Sequence, residues 1–326
     1  MRSSGPIRCC TRDRAVSLSD NASLTRSAAY ASIATALFLA AIKLWATART
    51  GSTAMLGSLA DTALDLVASI ATLIGVTIAA QPPDKKHRFG HGKAESLAAM
   101  FQVILIALSA AGIGFRAILA LIEGQRTTAA QEGIAVSLVA IVATLALLAW
   151  QRHVVRKTAS VAIKADHVHY QSDLLLNLAV IAALVADQML GIPGADPLFG
   201  LAIAGWLLWG AWGTAREAVD HLMDREWPED KRRKLVELAA KHPELESLHD
   251  LRTRTSGTRD FVQFHVDLPG DMTVAQAHDI IERVEADLES HFPNTDLLIH
   301  IDPEGHVDEP GNPLQEADEF DKLEDE

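Results

Sequence analysis

The sequence predicts an all-α membrane domain of six transmembrane helices, followed by a small α+β domain of αββαβ order in the cytoplasm. Three observations carry that reading. The first two-thirds of the 326-residue chain is rich in Ala, Leu, Ile and Val, with few charges, most of them outside the apolar segments. The last third is strongly charged and carries the acidic excess behind the formal net charge of −13. The apolar part also divides into segments long enough to cross a bilayer, for which about 20 residues suffice. The mean hydropathy of +0.14 averages over both parts and describes neither.

Six apolar segments run near 28–47, 54–80, 96–122, 133–151, 167–190 and 197–213. The fifth is the least apolar, because its uncharged part begins only after Asp173. The connections between them alternate in charge. After span two come Lys85, Lys86, Arg88 and Lys93; after span four, Arg152, Arg156, Lys157 and Lys164; after span six, Arg216, Arg225, Lys231, Arg232, Arg233 and Lys234. The opposite loops hold only Arg49 and Arg126, and Arg116 inside span three sits where its long stem can snorkel to the interface. The positive-inside rule then places both termini in the cytoplasm, in agreement with an even number of spans. The domain expectations are a cytoplasmic N-terminal arm over 1–25, a six-helix transport domain over 26–215, a cytoplasmic metal-binding and dimerisation domain over 216–303, and an acidic disordered tail over 304–326.

The arm carries Arg2, Arg8, Arg12 and Arg14 but no apolar core of signal-peptide type, so the first span is read as an uncleaved insertion signal. The only cysteines, Cys9 and Cys10, are adjacent and provide no disulfide framework. The acidic balance argues against nucleic acid as a partner, since phosphate binding requires Lys/Arg clusters. Beyond residue 218, a charged helix is expected from Pro228 to Lys241, and two strands follow. In the second, Val262, Phe264, Val266 and Leu268 alternate with Gln263, His265 and Asp267. Thr273 with Gln276 forms a capping-box pattern that opens a helix, and a last strand runs from Thr295 to Asp302.

Three constellations carry chemistry. In span two, Asp61 and Asp65 are the only charges in the stretch from Ala54 to Ala80. They lie four residues apart, on one helix face. His169 and Asp173 repeat that spacing at the start of span five. Charge at membrane depth is costly and needs a partner. Two i, i+4 pairs facing each other make a four-ligand cage of three carboxylates and one imidazole. Such N/O ligation suits Zn²⁺ and also admits Fe²⁺, Mn²⁺ or Cd²⁺. Because ligands must be deprotonated to bind, metal entry displaces protons, which is the physical basis of antiport. The loop Asp84, His87 and His91 has chelating spacing, although loop histidines beside lysines are often simply solvated. The soluble domain holds His249, His265, His278, His300 and Asp302, a set able to form a cytosolic metal site. His153, His167, His221, His242, His291 and His306 have no evident ligand partners and read as surface or interfacial residues.

These motifs resemble those of the cation diffusion facilitator family, and most closely its bacterial ferrous-iron/zinc efflux branch. The resemblance rests on SLADTALDLVAS, QPPDKKHRFGHGKAESLAA and HYQSDLLLN in the membrane part, and on LHDLRTRTSG, VQFHVDLP, AQAH and IHIDP in the soluble part. It covers roughly residues 25–303. It implies that Asp61, Asp65, His169 and Asp173 form the transport site, and that Asp84, His87 and His91 form a loop site. It likewise implies that His249, His265, His278, His300 and Asp302 form a cytoplasmic site at a dimer interface. Zn²⁺ would then be both the transported and the structural ion. The resemblance further implies a metallochaperone-like cytoplasmic domain, a homodimer in the lipid of a bacterial inner membrane, and a Lys93–Asp224 charge pair joining the two domains. Relatives often carry Gln where this chain has Ile301, whose side chain points away from the face of His300 and Asp302 by strand alternation.

The functional expectation is a proton-coupled exporter of divalent metal ions, not an enzyme. A metal-gated cation channel would share the acidic membrane residues, but conduction requires weak or multiple sites rather than one tight cage. A membrane metallohydrolase would need an open, water-activating metal position, and no H-E-x-x-H sequence is present.

Overall fold

The computed structural model describes residues 11–50, 53–123, 131–189, 195–245, 247–304 and 318–324. The chain divides into two compact units, one over Ser19–Asp220 and one that joins His221 onward with the described residues before Ser19.

In the first unit the apolar segments become six long helices: α1 (Thr11–Thr50), α2 (Thr53–Ala79), α3 (Ala94–Glu123), α4 (Gln131–Thr158), α5 (Val161–Met189) and α6 (Ala195–Leu222). Among the described residues, five contain a stretch long and apolar enough to cross a membrane: Asn21–Arg49, Ser58–Ala79, Ala94–Glu123, Val136–Thr158 and Pro197–Leu222. α5 has the length, at 29 residues, but its first half carries Lys164, Asp166, His167, His169 and Asp173. That is the helix whose sequence signal was weakest, and it is where the polar chemistry sits. Large apolar side chains face outward, among them Leu37, Leu108, Phe115 and Trp209, as expected where the surroundings are hydrocarbon. α1 begins within the expected N-terminal arm, and α6 continues past the expected domain boundary at residue 215.

The breaks between helices follow from local chemistry. α2 stops at Ala79 because Pro82 and Pro83 cannot continue it. Between α4 and α5 the chain reverses within two residues. Ala159 takes the left-handed conformation (φ 51), and the Ser160 hydroxyl accepts the Ile163 N–H at 3.4 Å as an N-terminal cap. The same hydroxyl donates to the buried Glu95 carboxylate at 2.7 Å, which anchors the start of α5 to α3. α2 and α3 approach closely at Gly75, where an added Cβ would lie 2.4 Å from Ala98 Cβ.

The second unit contains α7 (Glu229–Ala239), β1 (His249–Ser256), β2 (Arg259–Leu268), α8 (Val274–His291), β3 (Thr295–Pro303) and α9 (Glu319–Glu324). The order α-β-β-α-β is the expected one. β2 is central, antiparallel to β1 and parallel to β3. Val262, Phe264, Val266 and Leu268 face a buried core formed with α7 and α8. Thr273 caps α8 in the reciprocal box with Gln276 that the sequence signals. α9 departs from the expectation of a disordered tail over 304–326. Asp318 Oδ1 accepts the N–H groups of Phe320 (2.9 Å) and Leu248 (3.1 Å), and Phe320 and Leu323 pack on the core. Two apolar side chains four or fewer residues apart give this part of the acidic segment something to bury.

The Gly75 approach yields a test. Gly75→Ala should lower the thermal midpoint of the purified protein, through overpacking worth about 1–3 kcal/mol that outweighs the gain in helix propensity. Gly112→Ala, where a Cβ would meet nothing within 4 Å, should leave the midpoint unchanged or raise it. Equal midpoints for Gly75→Ala and the parent protein would show that α2 and α3 are not in close contact there.

Candidate metal-binding sites

α2 and α5 together build an intramembrane cluster. Asp65, His169 and Asp173 each offer a ligand atom, and the three atoms lie within 4.8 Å of one another. His169 Nε2 is 3.1 Å from Asp65 Oδ1. Zinc–ligand bonds of about 2.0–2.2 Å put tetrahedral ligand atoms roughly 3.4 Å apart, so the side chains need little adjustment to enclose an ion. His169 is buried, and Asp173 Oδ2 is a buried acceptor with no hydrogen-bond partner. A cation satisfies such an oxygen directly; left unsatisfied, it carries a desolvation penalty. Asp61 does not join this cluster. It is exposed and stands four residues before Asp65, about 6 Å lower along the helix axis.

A cation that the sequence motifs did not mark lies beside this cluster. Lys43, on α1, donates from Nζ to Thr62 Oγ1 at 2.6 Å and to the Ser58 carbonyl at 3.3 Å. This places a positive charge against the turn of α2 that carries Asp61. A single lysine within an apolar span was the available signal.

The loop between α2 and α3 gathers all three of its expected residues. Asp84 Oδ1 accepts the backbone N–H groups of Lys86 (2.7 Å) and His87 (2.6 Å), a turn that folds the loop back on itself. The His87 N–H in particular holds the Asp84 carboxyl below its ordinary range, against a weaker effect of burial. Gly90 adopts φ 85, open to glycine without strain, and lets the chain turn so that His91 Nε2 lies 3.1 Å from His87 Nδ1 and 3.5 Å from Asp84 Oδ2.

In the second unit the sheet register aligns three histidines. His249 is paired with His265 across β1 and β2, and His265 with His300 across β2 and β3. All three reach Asp302: His265 Nδ1 at 2.8 Å, His249 Nε2 at 3.5 Å and His300 Nε2 at 3.5 Å. His249, His265 and Asp302 form the tight group, with His300 at its edge. The β1–β2 register shifts between His249 and Arg252, where Asp250 has φ 51, and a local irregularity of this kind re-aims neighbouring side chains. Burial opposes charge on Asp302, but the His265 hydrogen bond and the charges of His265, His300 and His249 outweigh it. The carboxyl is held below its ordinary value.

His278 is not part of this group. It lies on α8, mostly exposed and 3.5 Å from Glu282. α8 covers the face of the sheet that Val262 and Phe264 present, and His265 faces the other way, so the two histidines do not meet within the chain. Lys93 follows the loop site in the first unit, whereas Asp224 in the second accepts from Arg254 Nη1 at 3.4 Å. Of the remaining histidines, His242 pairs with Asp287 at 3.2 Å, His153 stacks on Trp150, and His306 lies outside the described residues.

Comparison with known proteins covers both units. Residues 29–223 match the cation efflux transmembrane domain, and residues 227–304 match the cytoplasmic domain of cation efflux proteins. The cation-efflux pump FieF of Cronobacter sakazakii is 42% identical over 284 residues, spanning 87% of this chain and 94% of that protein. FieF of Serratia proteamaculans is 42% identical over 282 residues, spanning 86% and 94%. Among solved structures, the metal-bound C-terminal domain of the CzcD transporter from Thermotoga maritima is 24% identical. It covers 24% of this chain and 93% of that one, with a TM-score of 0.24. On the strength of the sequence matches, which extend through every one of the motifs above, the chain belongs to the cation efflux, or cation diffusion facilitator, family.

Proposed function

We propose that this protein is a secondary transporter that exports Zn²⁺, or chemically related ions such as Fe²⁺, Cd²⁺ and Mn²⁺, in exchange for protons. The observation that carries the reading is the meeting of Asp65, His169 and Asp173 between two membrane helices, with the buried oxygen of Asp173 unpartnered. Asp61, one turn away, supplies the fourth ligand once α2 and α5 shift. Empty, the cage holds like charges in a poorly solvated place and takes up protons; a divalent ion drives them off. Exposure of the cage to the two sides in turn, by rocking of helices, converts that competition into exchange. The charge pattern of the loops favours both termini in the cytoplasm of a bacterial inner membrane.

The second unit serves as a metal-responsive dimerisation domain. His249, His265, His300 and Asp302 hold a structural ion on the open face of the sheet, and His278 contributes across the interface of a homodimer. Asp84, His87 and His91 hold a further ion at the membrane surface. The family's zinc-, iron- and cadmium-compatible N/O chemistry is shared by all three sites.

Three outcomes test this. Asp65→Ala should abolish metal flux driven by a pH gradient in proteoliposomes while the protein still folds; flux equal to the parent protein would remove Asp65 from the mechanism. Accumulation of metal against its own gradient also separates a transporter from a channel, which conducts only downhill. His265→Ala and Asp302→Ala should weaken cytoplasmic metal binding and the dimer while leaving part of the flux. Calorimetric titration showing the same number of bound ions as in the parent would contradict that assignment.

A further inference from the structure

Asp166 is fully buried on α5, and neither the intramembrane cluster nor any other ligand group includes it. Its two oxygens are occupied by neutral donors from three other helices. Oδ1 accepts from Gln102 Nε2 on α3 at 2.9 Å. Oδ2 accepts from Ser32 Oγ on α1 at 2.5 Å and from Gln151 Nε2 on α4 at 2.8 Å. Gln102 Nε2 also lies 2.9 Å from Thr72 Oγ1 and 3.3 Å from the Ala68 carbonyl, both on α2. One carboxylate therefore gathers α1, α3, α4 and α5 directly and α2 through one glutamine. Ser32, Gln102 and Gln151 are themselves fully buried.

Two features separate this group from a metal ligand and from ordinary packing. Asp173 leaves an oxygen open, whereas both oxygens of Asp166 are taken. The Gln102 amide nitrogen faces the Asp166 carboxyl and the Thr72 hydroxyl, so that one buried side chain ties α5 to α2 as well as to α3. Hydrogen bonds arriving from three helices also fix direction, which apolar contact does not.

Asp166, His169 and Asp173 stand at i, i+3 and i+7, one stripe of α5. A slip of one residue would turn that stripe by about 100° and move it about 1.5 Å along the axis. We propose that Asp166 is a positioning residue for transport: held by Ser32, Gln102 and Gln151, it sets the rotation and height of α5 so that His169 and Asp173 face Asp65. It touches no ion and carries no transported proton. This inference rests on the transport reading above, and its test is separable from it.

The experiment is Zn²⁺ and Cd²⁺ uptake into proteoliposomes under an imposed pH gradient, comparing the parent protein with Asp166→Asn and Ser32→Ala. Protons moved per metal ion are counted in parallel. Asp166→Asn keeps the shape but sets an N–H against donors. It should raise the half-saturating Zn²⁺ concentration by about tenfold or more, the scale on which loss of groups supporting metal ligands is felt. The maximal rate should fall less, the Zn²⁺/Cd²⁺ preference should change, and the proton count should stay that of the parent. Ser32→Ala, which removes one donor, should shift half-saturation and preference the same way by less. An unchanged half-saturation and preference in Asp166→Asn would overturn the proposal. A lowered proton count would overturn it too, by making Asp166 a carrier. If Asp166→Asn does not fold, Ser32→Ala alone decides, and parent-like half-saturation and preference there overturn the proposal. Absence of gradient-driven flux in the parent protein would instead overturn the transport reading.

Discussion

A carboxylate surrounded by hydrocarbon has to be compensated, and the membrane unit is organised around that constraint. Three compensations occur side by side. Asp65 and Asp173 converge with His169 into a group shaped for a cation. Lys43 brings a fixed positive charge to the adjacent turn of α2. Asp166 is satisfied entirely by neutral donors drawn from neighbouring helices. Each arrangement leaves a different freedom. The first can exchange its counter-charge, the second cannot, and the third is fixed in geometry. On the proposed transport reading, the exchangeable site needs fixed surroundings so that the same ligands meet the ion throughout.

The second unit solves a related problem in water. Period-two alternation in β2 sends Val262, Phe264, Val266 and Leu268 into a dry core and leaves His265 on the opposite face. Pairing with β1 and β3 then sets His249 and His300 beside it, and the irregularity at Asp250 adjusts the end of the row. The core and the histidine-bearing face are two consequences of one register; a one-residue slip would exchange them.

What was legible in the sequence is what repeats at short range. The spacing of Asp61 and Asp65, and of His169 and Asp173, is visible because charge is conspicuous against Ala and Leu. The αββαβ order followed from alternation and from the Thr273–Gln276 cap, which the structure reproduces. The missed features depend on long-range meetings of ordinary residues. Ser32 lies 134 positions from Asp166, and Gln102 lies 64 positions from it. Serine and glutamine in an apolar helix announce nothing until their partners are known. Periodicity puts Asp61 on the same face of α2 as Asp65, but one turn away from the cluster. His278 shares its chemistry with the other histidines, but α8 packs on the far side of the sheet, which no local sequence pattern announces. The acidic tail concealed Phe320 and Leu323 within a composition typical of disorder, and those two side chains fold α9 onto the core.

The claim on which the account depends is that a divalent ion and protons compete for the same intramembrane atoms. It is tested most directly by counting protons released as Zn²⁺ binds to purified protein in detergent, with the loop and cytoplasmic sites removed by His87→Ala and His265→Ala. The account predicts release that accompanies occupancy of one remaining site, increases as the starting pH is lowered, and disappears when Asp173 is replaced by Ala. Binding of Zn²⁺ to that protein without proton release at any pH would contradict it, as would release that persists after Asp173 is lost.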